Sequence, residues 1–173
     1  MSLSEIRKSV RNIPDFPKKG IQFKDITTSI KDAKIFAEII DIFAEKYKDV
    51  EVDYIAGVES RGFIFGSALA HKLQCGFVPI RKAGKLPADT ISEEYDLEYG
   101  SAKIEVHKDS FHKGAKVLII DDLLATGGTV RATCNLIEKT DAQIVGIAFM
   151  IELLDLKGRE KLHNYEIFSL LEY

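Results

Sequence analysis

The sequence predicts an α/β fold, an open, mainly parallel, twisted sheet flanked by helices, and three observations carry that prediction. Short β-rich runs at residues 52–58, 77–80, 116–120 and 144–151 alternate with stretches of helical period. The run Lys116-Val-Leu-Ile-Ile120 is near-continuously apolar, as a strand buried on both faces requires. Several glycines, Gly62, Gly127 and Gly128 among them, stand directly after apolar runs, where a strand hands over to a helix.

The elements follow in chain order. The first thirty residues read as irregular, with Pro14, Pro17 and Gly20 punctuating 13–23 into turns and short extended pieces. From Asp32, an N-cap candidate, Ile35, Phe36, Ile39, Ile40, Phe43 and Tyr47 recur at the helical period, an apolar stripe for packing. The strand at 52–58 closes on Glu59-Ser60-Arg61-Gly62. Residues 63–73 then return to helical register through Ile64, Phe65, Ala68 and Leu69, with Gly76 as the expected stop. After the strand at 77–80, residues 81–100 turn polar and are marked by glycine and proline, which reads as a mobile loop of about twenty residues. Ile104 and Val106 follow it. Residues 121–129 interrupt the buried run at 116–120, 130–139 read as helix, 144–151 as a buried strand and 166–170 as an edge strand. Neither a repeat nor a linker is visible, so residues 1–173 are expected to form one domain.

Composition bounds the function. With 173 residues, 46% hydrophobic and 29% charged, the chain can bury a core without disulfide staples and is far from the disordered class. A net charge of -3 argues against a general nucleic-acid surface but leaves room for a small anion held by a local basic cluster. Cys75 and Cys134 form no CxxC pair, which suits a reduced, cytoplasmic setting. No window approaches 18 continuous apolar residues and the N-terminus lacks an apolar h-region, so neither a membrane span nor secretion is expected.

The segment Val117-Leu-Ile-Ile-Asp-Asp-Leu-Leu-Ala-Thr-Gly-Gly-Thr129 carries the most chemistry. It is a strand, then two carboxylates, then a turn of small residues feeding a helix. Ligands of open α/β sheets sit at the carboxyl ends of strands. Ala125, Thr126, Gly127, Gly128 and Thr129 lack bulk, so their backbone N–H groups can converge on a phosphate at the positive end of the helix. Asp121 and Asp122 would repel a phosphate; they suit a pair of sugar hydroxyls, or waters around Mg²⁺. Diol acceptors beside phosphate donors describe a ribose 5-phosphate pocket. No GxxxxGK[ST] or GxGxxG motif is present, which removes the main support for nucleoside-triphosphatase and dinucleotide readings. Elsewhere Glu59-Ser60-Arg61-Gly62 can present amides to an anion between strand and helix, and Arg81, Lys82 and Lys85 concentrate three positive charges within five residues.

The Asp-Asp/Thr-Gly-Gly-Thr segment resembles the phosphoribosyl-pyrophosphate signature of type I phosphoribosyltransferases. Further pieces, Gly20-Ile-Gln-Phe-Lys-Asp-Ile-Thr27, Glu59-Ser-Arg-Gly-Phe63, Arg81-Lys-Ala-Gly-Lys-Leu-Pro87, Leu97-Glu-Tyr-Gly100 and Leu156-Lys-Gly-Arg-Glu-Lys-Leu162, are similar to those of the members that act on adenine. The resemblance spans nearly the whole chain. It implies the type I fold with a small N-terminal hood over about residues 1–30. It also implies transfer of the 5-phosphoribosyl group from 5-phosphoribosyl 1-pyrophosphate to adenine, giving AMP and pyrophosphate. Mg²⁺ would be held mainly through substrate oxygens and water, with no direct protein ligand, and the working unit would be a homodimer.

Residue roles come from the same resemblance. Asp121, Asp122 and 125–129 would bind the ribose phosphate. Glu59, Ser60, Arg61, Arg81, Lys82, Lys85 and Tyr99 would serve the pyrophosphate, and a cis peptide common in the family would fall before Ser60. Gln22, Phe23, Lys24, Arg61 and Leu123 would form the adenine pocket, with Gln22 replacing a common aliphatic residue and Lys19 and Thr28 replacing prolines. Glu98 would be the catalytic carboxylate, because the incoming base must lose a proton as its nitrogen becomes bonded. Glu93, Glu94, Asp96 and Glu98 are all carboxylates of one short stretch, and only the motif singles out Glu98. Two other readings stay open at this point: the same fold acting on hypoxanthine or guanine, and a non-catalytic regulator that binds the sugar pyrophosphate as a signal. His71, His107, His112 and His163 show no metal-ligand spacing, and Cys134 is expected in the core.

Overall fold

In a computed structural model, described here for residues 2–96 and 100–173, contacts divide the chain into two units, Met1–Lys46 and Tyr47–Tyr173. The first unit begins with α1 (Leu3–Ser9), whose start is a capping box: Glu5 N donates to Ser2 Oγ, and Ser2 N donates to Glu5 Oε2 at 2.7 Å. This helix corrects the irregular N-terminus expected from sequence; the Ser-x-x-Glu signature is its local signal. Strands β1 (Arg11–Pro14) and β2 (Gln22–Asp25) pair antiparallel, Ile13 opposite Phe23. The turn α2 (Thr27–Ile30) follows. Asp25, buried at the end of β2, ties these pieces together by accepting from Thr27 N and Oγ1 and from Arg11 Nε at 2.9 Å. Helix α3 (Ala33–Tyr47) starts where expected, Asp32 Oδ1 accepting from the amides of Lys34 and Ile35. Ile39, Phe43 and Tyr47 of its apolar stripe are buried.

The second unit holds a seven-stranded sheet. Its strands are β3 (Tyr54–Val58), β4 (Gly76–Lys82), β5 (Thr90–Asp96), β6 (Ser101–His107), β7 (Lys116–Leu124), β8 (Gln143–Glu152) and β9 (Ile167–Glu172). Their order is β5-β6-β4-β3-β7-β8-β9. The pairs from β4 through β9 are parallel, while β4–β6 and β5–β6 are antiparallel. The mainly parallel sheet expected from sequence is therefore present, and β9 is its edge. Helices α4 (Gly62–Leu73) and α5 (Gly128–Glu138) are the crossovers from β3 to β4 and from β7 to β8. Between α5 and the sheet lies a core that includes Ile80, Val117, Ile119, Cys134, Leu136 and Phe149. Burial pushes the Cys134 thiol up to about 12 and makes it inert.

Three boundaries differ from expectation. Helix α4 ends at Gln74, which takes the left-handed conformation (φ 58°), whereas Gly76 opens β4. Gly76 is needed for closeness: a Cβ there would stand 2.6 Å from the Tyr54 ring. Strand β7 runs on through Asp121 and Asp122 to Leu124 instead of stopping at 120. Most visibly, the expected irregular loop at 81–100 contains a strand, β5, paired in full register with β6, Ile91 opposite Val106 and Tyr95 opposite Ala102. Alternation of Ile91, Glu93 and Tyr95 toward α5 outweighs the polar composition: Asn135 donates to Glu93 Oε1 at 2.9 Å, and Lys139 pairs with the same carboxylate.

Candidate active site

In the order β4-β3-β7-β8, the crossover after β3 leaves toward β4 and the one after β7 leaves the opposite way toward β8. The carboxyl ends of β3 and β7 therefore flank a topological switch point, where the diverging connections open a crevice. Two helix N-termini face it. Helix α4 begins after Arg61 and α5 after Gly127, and neither has a side-chain cap. First-turn N–H groups at both ends are thus available to an anion.

A cavity of about 550 Å³ occupies this crevice, lined by Glu59, Ser60, Arg61, Lys82, Asp121, Asp122, Leu123 and Thr129, with Val58, Tyr95 and Ala102. Beside it, sharing Asp121, Leu123 and Thr129, a cradle of about 80 Å³ is formed by residues 123–130. Gly127 makes the cradle's turn with φ +77°, the left-handed region that favours glycine. Gly62 allows α4 to start close to β7. A Cβ there would sit 2.8 Å from Ile120 O and 3.0 Å from Asp121 Oδ1.

The two aspartates are not equivalent. Asp122 is buried, and its amide donates to Asp121 Oδ1 at 2.8 Å. Arg61 Nε stands 2.8 Å from Asp122 Oδ2, an ion pair without hydrogen-bond alignment. Among the described residues Asp122 Oδ2 accordingly accepts no hydrogen bond, a state buried carboxylate oxygens rarely tolerate without a ligand. Burial, then the neighbouring Asp122 charge, raises the Asp121 carboxyl well above its ordinary range.

Glu59 is the anchor of the opposite wall. Its carboxylate accepts from Lys85 Nζ at 2.8 Å, the Lys82 amide at 3.0 Å, and Arg81 Nη2 and Nε at 3.3 and 3.4 Å. Burial pushes this carboxyl up, but donation from Lys85, Arg81 and the Lys82 amide prevails and lowers it to about 2. The Glu59-Ser60 peptide is cis.

The residues singled out in the sequence thus divide into four groups. Glu59, Ser60, Arg61, Lys82, Asp121, Asp122, Leu123 and Thr129 share one cavity, and Ala125, Thr126, Gly127 and Gly128 complete the cradle. Arg81 and Lys85 stand behind Glu59, engaged by its carboxylate, and do not line the cavity. Gln22, Phe23 and Lys24 lie in β2 of the first unit. There Asn12 Nδ2 donates to Gln22 Oε1 at 2.6 Å, and Phe16 meets the Phe23 ring edge-on at 5.1 Å. Glu98 and Tyr99 lie outside the described residues. Val58, Tyr95 and Ala102 line the cavity without having been singled out in the sequence, and the Tyr95 hydroxyl accepts from Thr129 Oγ1 at 3.3 Å. The period-two alternation of β5 was the signal that could have found Tyr95.

Known proteins share this architecture. A family model described as the phosphoribosyl transferase domain matches residues 27–172. The adenine phosphoribosyltransferase of Halothermothrix orenii is 56% identical over 168 residues, spanning 97% of this chain and 99% of that protein. Among solved structures, adenine phosphoribosyltransferase from Thermoanaerobacter pseudethanolicus is similar with a TM-score of 0.97 and 51% identity, covering 99% of this chain and 100% of that one. The Saccharomyces cerevisiae enzyme, solved with D-2,5-dideoxy-2,5-imino-altritol 1,6-bisphosphate and adenine, gives a TM-score of 0.94 and 42% identity, covering 98% of each chain.

Proposed function

The chain belongs to the phosphoribosyl transferase domain family and, within it, to the adenine phosphoribosyltransferases, and from that premise we propose how its crevice works. The reaction is transfer of the 5-phosphoribosyl group from 5-phosphoribosyl 1-pyrophosphate to adenine, forming AMP and pyrophosphate, a step of purine salvage. The observation that carries the assignment of parts is the switch-point cavity. Diol acceptors, Asp121 and Asp122, stand there beside the uncapped N-terminus of α5.

In this reading the 5-phosphate rests in the cradle at 125–129, on first-turn amides and the Thr126 and Thr129 hydroxyls. The ribose hydroxyls donate to Asp121 and to Asp122 Oδ2, which gives that buried oxygen the hydrogen bond its ion pair with Arg61 does not supply. The pyrophosphate lies on the α4 side, over Glu59-Ser60-Arg61 and toward Lys82. Arg81 and Lys85 enlarge the positive field behind it, and the family resemblance assigns Tyr99 to the reacting phosphates. Leu123 and Arg61 serve the base, and the family resemblance assigns Gln22, Phe23 and Lys24 to adenine as well. Glu98 takes the proton that adenine loses as its ring nitrogen bonds to the anomeric carbon.

Mg²⁺ neutralises charge on the departing pyrophosphate when bound. Asp121 and Asp122 suit an ion reached through water and substrate oxygens. No helix among the described residues is long and apolar enough to cross a membrane. A cytoplasmic enzyme working as a homodimer completes the proposal. A competition assay tests the base preference: with 5-phosphoribosyl 1-pyrophosphate, Mg²⁺ and equal adenine, hypoxanthine and guanine, AMP is the expected nucleotide. Predominant formation of the hypoxanthine or guanine nucleotide would overturn the assignment.

A further inference from the structure

The backbone of the phosphate cradle rests on a residue remote in sequence. Gly158, buried, opens the second of two short 3-10 turns, Leu154–Leu156 and Gly158–Lys161, and has no space for a side chain. A Cβ there would collide with Ala125 O and stand 2.8 Å from Leu124 Cδ1. The relation is reciprocal, since a Cβ on Gly127 would stand 3.2 Å from the Gly158 carbonyl carbon. The cradle and Gly158 are therefore in direct backbone contact, and any shift of one displaces the other.

The next residue locks Gly158 in place. Arg159 donates from Nε to Glu152 Oε1 and Oε2 at 2.7 and 2.9 Å, and from Nη2 to Oε2 at 2.7 Å. Its remaining donors reach Ser169 Oγ at 3.2 Å and Ile167 O at 3.3 Å, while Ser169 Oγ donates to Glu152 at 2.6 Å. Glu152, only 3% exposed, is the last residue of β8 and pairs in register with Leu124, the last residue of β7. Arg159 thus fastens the Gly158 turn to the strand end from which the cradle departs. Neither Arg159 nor Glu152 lines the cavity or the cradle.

We infer that Arg159 is a positioning residue for the 5-phosphate cradle, acting through Glu152 and Gly158 without touching ligand. The inference rests on the proposed placement of the 5-phosphate at 125–129. Loss of the guanidinium fork frees the turn, and the amides of the cradle lose their convergence. Ligands that carry a 5-phosphate then weaken, whereas pyrophosphate, held by the α4 side, does not.

The test measures binding of AMP, ribose 5-phosphate and pyrophosphate to the full chain. Wild type is compared with Arg159→Lys, Arg159→Met and the double variant Arg159→Met/Glu152→Leu, which leaves no unpaired buried charge. Expected are about tenfold to hundredfold weaker AMP and ribose 5-phosphate binding in either Met variant, and pyrophosphate binding within about twofold of wild type. KM for 5-phosphoribosyl 1-pyrophosphate should rise more than kcat falls, with Arg159→Lys intermediate. Where a Met variant does not fold, Arg159→Lys, which keeps the charge and loses the fork, decides the matter. Unchanged AMP binding in a folded variant, or equal weakening of AMP and pyrophosphate, overturns the inference. Failure of wild type to bind AMP and ribose 5-phosphate would instead sink the placement on which it rests.

Discussion

Lys85 Nζ donates to Glu59 Oε1 over 2.8 Å, and Arg81 Nη2 donates to the same oxygen at 3.3 Å. Two of the three cations that make 81–85 a basic cluster are thus partly neutralised by a carboxylate of the crevice they serve. Lys82 lines the cavity and pairs with no carboxylate among the described residues. On the proposed placement of the pyrophosphate, this arrangement moderates the positive field that the anion meets.

Glu59→Gln removes that moderating charge while keeping an acceptor for the Lys82 amide. Inhibition by pyrophosphate should strengthen by roughly three- to tenfold, and the gain should shrink with added salt. Competition against 5-phosphoribosyl 1-pyrophosphate at two ionic strengths measures it. Weaker inhibition would mean that Glu59 places the cations more than it offsets them.

Acid should destabilise the protein through two carboxylates. Glu59 falls from an ordinary 4.5 to about 2 in the fold, where donation from Lys85 and Arg81 overcomes burial. Asp25 falls from 3.8 to about 2, through the Thr27 hydroxyl and amide and then Arg11. Both folded values lie below the unfolded ones, so their stabilisation is complete above the ordinary values and fades as pH falls toward about 2. Urea midpoints between neutral pH and about pH 3 should decline, and Asp25→Asn or Glu59→Gln should flatten the decline. A slope unchanged in both variants would contradict this.

Gly62→Ala drives a methyl group into Ile120 O and the Asp121 carboxylate. Overpacking of this kind costs about 1–3 kcal/mol, and here it also displaces Asp121, the proposed acceptor for the ribose. The variant should melt lower and show a raised KM for 5-phosphoribosyl 1-pyrophosphate. Chemical denaturation together with steady-state kinetics reads both effects, and a wild-type KM would show that Asp121 does not face the sugar.

Asp122→Asn removes the charge from the oxygen left without a hydrogen bond. Hydrogen bonds to charged groups contribute about 1.5–3 kcal/mol, so affinity for the sugar pyrophosphate should fall about tenfold to hundredfold. Calorimetric titration with 5-phosphoribosyl 1-pyrophosphate and Mg²⁺ measures it. Binding unchanged from wild type would remove Asp122 from the diol site.

Much of the site was legible because it sits on short, local patterns. The apolar strand 116–120, the paired aspartates and the small residues of 125–129 each announce themselves within one stretch of chain. The β5–β6 pair did not, since its register depends on Ile91 meeting Val106 across the sheet and on Glu93 finding Asn135 and Lys139 of α5. Such pairing decides strand against loop where composition is polar. Capture of Arg81 and Lys85 by Glu59 spans 22 and 26 residues of sequence, and a charge cluster read alone cannot show its counter-ion. The support of Gly158 beneath the cradle was hidden for the same reason, because a glycine in a motif does not say which backbone it allows to approach.

The most direct measurement is product analysis of the purified chain with adenine, 5-phosphoribosyl 1-pyrophosphate and Mg²⁺, alongside Glu98→Ala. Wild type should form AMP and pyrophosphate in equal amounts, and the chemical step should slow about a hundredfold to ten-thousandfold in the variant. No AMP under conditions where a known adenine phosphoribosyltransferase forms it, or pyrophosphate released at the same rate without adenine, would contradict the proposed transfer.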